Sequence, residues 1–119
     1  MNYQKTTIVG NLGAKPELRY TTEGKPVCKF SVAVNQKSGE QKFTTWYKVV
    51  TWNGLAEDCA KYLEKGQNVL VEGRVQVEVW ADKVSQEPRG SLVLTSNNVE
   101  FGEKSKGGVA GTEPEEMPF

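Results

Sequence analysis

At 119 residues and 13.2 kDa, with 25% charged and 37% hydrophobic residues, the chain accommodates one domain with a modest core and a short appendage. The absence of histidine, with Cys28 and Cys59 as the only cysteines, excludes imidazole acid–base catalysis and a Cys/His zinc site of the usual ligand count. The net charge of zero conceals an asymmetry: withdrawing Glu113, Glu115 and Glu116 from the 15 acids leaves 12 against 15 bases in residues 1–112, a mildly basic body with an acidic end.

No apolar run follows Met1–Lys5, and no stretch approaches the ~20 apolar residues that span a bilayer, so a cytoplasmic, reduced protein is expected. Both cysteines fall in apolar patterns, where a free thiol behaves as a small buried hydrophobe. Residues 3–12 read as a first strand, with Gly10 marking a bend or bulge. Gly13–Pro16 is a turn, Leu18-Arg19-Tyr20 a short extended piece, and Thr22–Pro26 a second turn. Residues 27–34 alternate, Cys28, Phe30, Val32 and Val34 forming an apolar face opposite Lys29 and Ser31. Asn35–Lys42 is polar with one glycine and reads as a flexible loop.

Phe43–Trp52 is rich in β-branched and aromatic residues, with no Gly, Pro or acid, and predicts a strand. Trp46, Lys48, Val50 and Trp52 share one face; Tyr47 and Val49 share the other. Taken alone, tryptophans at strand spacing read as core, but two π-surfaces flanking a cation also suit stacking on unpaired bases beside a phosphate.

Asn53 then offers an N-cap for a helix over 54–65, with Leu55, Ala56, Cys59, Ala60 and Leu63 on its buried face and Gly66 closing it. Residues 68–80 alternate most regularly: Val69, Val71, Val75, Val77 and Val79 point to the core, and Trp80 falls on the polar face with Arg74, Gln76 and Glu78. An outward Trp calls for a partner or a ligand. A polar loop over 81–90 leads to a last strand over 91–101. Three strands, one helix and two strands predict an all-β fold, the five-stranded Greek-key OB-fold barrel with its α-helix between strands 3 and 4; a plain α+β half-barrel is the alternative.

Four pieces now resemble the bacterial single-stranded DNA-binding proteins: Thr7–Gly13 with Lys15–Tyr20; Trp46–Trp52 running into Leu55-Ala56-Glu57; Tyr62–Gly66 with Val71–Arg74; and the end, Glu115-Glu116-Met117-Pro118-Phe119. The resemblance implies stacking of bases on Trp46, Trp52 and Trp80 and phosphate contacts from Lys48, Lys65 and Lys5. Lys29, Lys61 and Arg74 read as ordinary solvated charges, with Arg74 retained as a further DNA contact. It divides the chain into a DNA-binding OB domain over 1–101, a flexible linker over 102–112 and a protein-interaction tip over 113–119. It also implies a cytoplasmic, nucleoid-associated homotetramer that takes part in DNA replication, recombination and repair and recruits proteins of those pathways through the tip.

The chain departs from the family pattern where basic residues often precede the strand-four aromatic: here stand Gln76, Glu78 and Val79. Tyr47 occupies a subunit-contact position that is often His. Such binding needs no catalytic residue, cofactor or metal, and the sequence offers no catalytic set. Two other readings are an OB-fold RNA-binding or replication-restart protein acting mainly through protein partners, and a small OB-fold nuclease, against which the lack of histidine counts.

Overall fold

The computed structural model describes residues 1–86 and 88–103. Six strands and one helix follow in the order β1 (Thr6–Leu12), β2 (Glu17–Tyr20), β3 (Pro26–Ser38), β4 (Gln41–Trp52), α1 (Asn53–Tyr62), β5 (Asn68–Ala81) and β6 (Pro88–Phe101). The sheet order is β1-β5-β6-β4-β3-β2, and a further β1–β3 pairing closes five of the strands into a barrel, as the OB-fold requires. β2, the short extended piece, pairs on the edge of β3, so by count the helix lies between the fourth and fifth strands rather than the third and fourth. All neighbours are antiparallel except β4 and β6.

Closure is tight where β1 crosses β3: a β-carbon on Gly10 would strike the Ala33 carbonyl oxygen, so the predicted bend residue serves close backbone approach. Inward side chains of each strand make the core, with Ile8, Leu12, Cys28, Phe30, Val32, Val34, Val49, Val69, Val71 and Leu94 buried. The helix covers one end of this core through Ala56 and Cys59, with Leu63 just beyond it. One buried polar side chain is satisfied by the chain around it: Gln67 accepts from the Glu64 N–H at 3.1 Å and donates to the Gly102 carbonyl at 3.1 Å.

Several local expectations are corrected. Asn35–Lys42 is a continuation of β3 and β4, paired through Ser38–Gln41, with a two-residue turn at Gly39 and Glu40. Gly39 has φ 64°, the conformation a type II′ hairpin turn demands of its first residue. Likewise β5 and β6 remain paired out to Ala81 and Pro88, so both ends of the predicted 81–90 loop belong to a two-stranded arm. Val77 and Val79 therefore do not reach the core: they are 64% and 69% exposed, because β4 covers β6 only from Leu92 to Thr95.

The helix ends at Tyr62, three residues before the predicted Lys65, with Leu63 turning extended and donating its N–H to the Cys59 carbonyl at 3.0 Å. Gly66, at φ 84°, belongs to the next turn, where its N–H bonds the Leu12 carbonyl. Asn53 is no side-chain cap: Trp52 holds the cap position in extended geometry, and Asn53 enters the helix at φ 58°. Past β6, Gly102 donates to the Asn68 carbonyl and the Glu103 carbonyl accepts from the Asn68 N–H, so the body's hydrogen bonding runs through Glu103.

Candidate nucleic-acid interface

β4 divides its side chains by face. Val49 and Thr51 are fully buried, and Tyr47 packs against the core. Trp46 and Trp52 point outward at 54% and 41% exposure, which removes the core reading of both. Trp46 stands opposite Ala33 on β3, and its ring lies against Gly13 in the turn after β1. Trp52 stands opposite Val27 at the far end of the same strand. Between them, Lys48 is flanked by Ser31 of β3 and Val93 of β6, and Val50 by Lys29 and Thr95.

Trp80 lies on the arm, opposite Arg89, and is 46% exposed. The outward Trp has found its partner: the Lys48 ammonium sits 5.7 Å from the centre of its ring, a cation–π contact between the arm and β4. Trp46, Lys48 and Trp80 thus come from two elements far apart in sequence and meet on one outer face. Three half-exposed indoles with a lysine among them offer flat apolar surfaces beside positive charge, which suits unpaired bases and their phosphates.

The remaining predicted cations do not all join this face. Lys65 lies in the turn after α1, where the Gly66 N–H bonds the carbonyl of Leu12, immediately before the glycine under Trp46, and the Gly66 carbonyl oxygen accepts from Asn11. Lys5 and Arg74 line a separate cleft of about 420 Å³ with Glu72 and the N-terminal residues, and Lys48 is not among the residues that line it. Lys5 is also engaged internally, its ammonium 3.3 Å from the Glu72 carboxylate. A hydrogen bond from Asn98, then the Lys5 ammonium and the Thr7 hydroxyl, hold that carboxyl below the ordinary carboxylate range.

Two cations that strand alternation treated as solvated or left unassigned stand inside the face. Lys29 and Lys15 line a cleft of about 400 Å³ together with Lys48, Glu17 and Glu78. Only the cross-strand register brings them together, and no pattern within one strand carries it. Among the described residues, no group of three or more His, Cys, Asp or Glu is placed to hold a metal ion, and no helix is long and apolar enough to cross a membrane. The acidic tip, Glu115 to Phe119, lies outside the described residues.

Residues 3–102 match a family model described as the single-strand binding protein family. The chain is 34% identical over 110 residues to "Single-stranded DNA-binding protein 1" of Chlorobaculum tepidum, an alignment covering 87% of this chain and 68% of that protein. It is 37% identical over 116 residues to "Single-stranded DNA-binding protein" of Caldanaerobacter subterraneus subsp. tengcongensis, covering 94% of this chain and 76% of that protein.

Proposed function

The chain belongs to the single-strand binding protein family, and on that premise we propose that it binds single-stranded DNA without regard to sequence. The observation that carries the reading is the outward set of Trp46, Trp52 and Trp80 around Lys48. Each base stacked on an indole contributes about 1–3 kcal/mol whatever its identity, because every base has a π-face. Lysines that meet the phosphates release condensed counterions, so affinity falls as salt rises. A duplex hides its base faces, which makes the binder selective for single strands.

On this reading Trp46, Trp52 and Trp80 stack bases, and Lys48 and Lys65 neutralise phosphates near them. Lys5 and Arg74 extend the path to the second cleft, where Glu72 weakens the contribution of Lys5. The protein covers exposed single strands in the cytoplasm, within the nucleoid, and performs no chemistry on them. It assembles as a homotetramer, and its Glu115–Phe119 tip recruits replication, recombination and repair proteins: a terminal Phe after Pro, with its carboxylate, suits an apolar pocket with a basic rim.

Titration of tryptophan fluorescence with oligo-dT at several salt concentrations tests the central claim. Strong quenching that weakens with salt is expected; unchanged fluorescence in excess single strand would sink it. A parallel incubation with divalent metal should return the oligonucleotide intact.

A further inference from the structure

The cleft between the β2–β3 edge and the β5–β6 arm gathers charge that no single strand displays. Lys15 from the turn after β1, Lys29 of β3 and Lys48 of β4 line one space of about 400 Å³, floored by Ser31, Val50 and Val93. Lys29 pairs with Val50 and Ser31 with Lys48, so Lys29 and Lys48 occupy successive outward rows, roughly 7 Å apart along the strands. Two acids share the lining. Glu17 is committed to the Arg19 guanidinium at 2.5 Å, whereas Glu78 sits on the arm beside Trp80. Among the described residues Lys15, Lys29 and Lys48 form no ion pair. Ammonium groups around one space repel one another, and that repulsion is relieved when an anion enters.

We infer that this cleft is a phosphate subsite: Lys15 and Lys29, with Lys48, hold the phosphodiester of a strand whose bases stack on Trp46 and Trp52, and Glu78 keeps that backbone on the β2–β3 side and off the arm. This inference rests on the single-strand-binding reading above and adds the path of the backbone. Trp46 and Trp52 are separated by six residues of β4, about 20 Å, and the Lys48 and Lys29 rows lie between them. A strand that reaches both indoles along β4 crosses the cleft. On the arm, Gln76 and Glu78 precede Trp80 where a basic path would need cations, so the neutralising charge on this face comes from the opposite edge.

The test is the salt dependence of oligo-dT binding, read by tryptophan quenching, for the full chain and for the variants K15Q/K29Q, K61Q and E78Q. K15Q/K29Q should flatten the slope of log K against log salt by about 1.4, from about 0.7 per single-strand phosphate contact. Its quenching at saturation and melting temperature should stay as in the parent, since both side chains are exposed; each single variant should take half of the change. K61Q, on the helix and outside the cleft, should keep the parent slope, and E78Q should bind several-fold more tightly at low salt.

A parent-like slope in K15Q/K29Q, an equal flattening in K61Q, or weaker binding by E78Q overturns the subsite. If the parent protein binds oligo-dT with a steep slope and only the double variant fails to change it, the cleft assignment alone falls. A parent that does not bind oligo-dT removes the functional reading and the subsite with it.

Discussion

The indole of Trp46 rests against Gly13: a β-carbon built on Gly13 would lie 2.6 Å from its Cζ3 and 2.8 Å from its Cη2. A residue with no side chain in the β1–β2 turn is therefore what lets a β4 tryptophan lie down on the barrel and still leave half its surface to solvent. A ring held on one side is partly ordered before binding, so less freedom is lost when a base stacks on the other.

Two substitutions separate stacking from folding. Trp46→Ala should weaken oligo-dT binding by roughly 5- to 150-fold, the equivalent of about 1–3 kcal/mol, with little change in melting temperature. Gly13→Val should displace the same ring and weaken binding while Trp46 remains. A large fall in melting temperature for Trp46→Ala with unchanged affinity would show that the ring serves the fold instead.

The Lys48–Trp80 contact joins the arm to β4 at 5.7 Å and, being exposed, is worth about 0.5–1 kcal/mol. Lys48→Met should reduce the salt slope of binding by about 0.7 and shift the emission of Trp80 in the free protein, whereas Trp80→Ala should lower quenching and leave the slope nearly intact. Equal slope losses in both variants would contradict this division of labour.

Cys28 and Cys59 are buried and free, and burial raises their thiols from 9.0 to about 11 and about 12 respectively. Because the folded values lie above the unfolded one, the stability from neutral buried thiols is complete below about pH 9 and is lost as the pH rises through about 11 to 12. Both thiols should resist a disulfide reagent at pH 8 until the protein is unfolded. The alkaline fall in the denaturation midpoint should be shallower in Cys28→Ala/Cys59→Ala than in the parent.

Glu72 titrates in the opposite sense. Its folded value is depressed chiefly by the Asn98 hydrogen bond, then by Lys5, so the stabilisation is present above its ordinary value of 4.5 and is lost as the pH falls through the folded one. Glu72→Gln should lower the melting temperature at neutral pH, and the gap to the parent should close in acid. The same variant frees Lys5, and any gain in oligo-dT affinity measures how far that lysine reaches the DNA path.

Removing Met117–Phe119 should abolish capture of replication and repair partners while leaving oligo-dT affinity equal or higher. A fall in DNA affinity would assign the tip to the nucleic acid instead. Light scattering on the same samples should return the mass of a tetramer.

The alternation in Cys28–Val34 and in Trp46–Trp52 states which residues share a face, since successive strand side chains must oppose each other, and the all-β class with a single helix follows from where such runs begin and end. That Trp46, Lys48 and Trp52 share one face was legible for the same reason; that the face is an outer one was not, because tryptophans at strand spacing read as core. The polar hairpin tip at Gly39 and the exposure of the arm's valines were not: strands paired beyond the barrel have no core face, so a polar stretch there can be strand and an apolar alternation can be exposed. Nor could the sequence separate Lys5, drawn to Glu72, from Lys15 and Lys29, drawn to the cleft. Periodicity orders side chains along one strand, whereas the meeting of Gly13 with Trp46, of Lys48 with Trp80 and of three lysines in one space depends on register between strands, which only barrel closure sets.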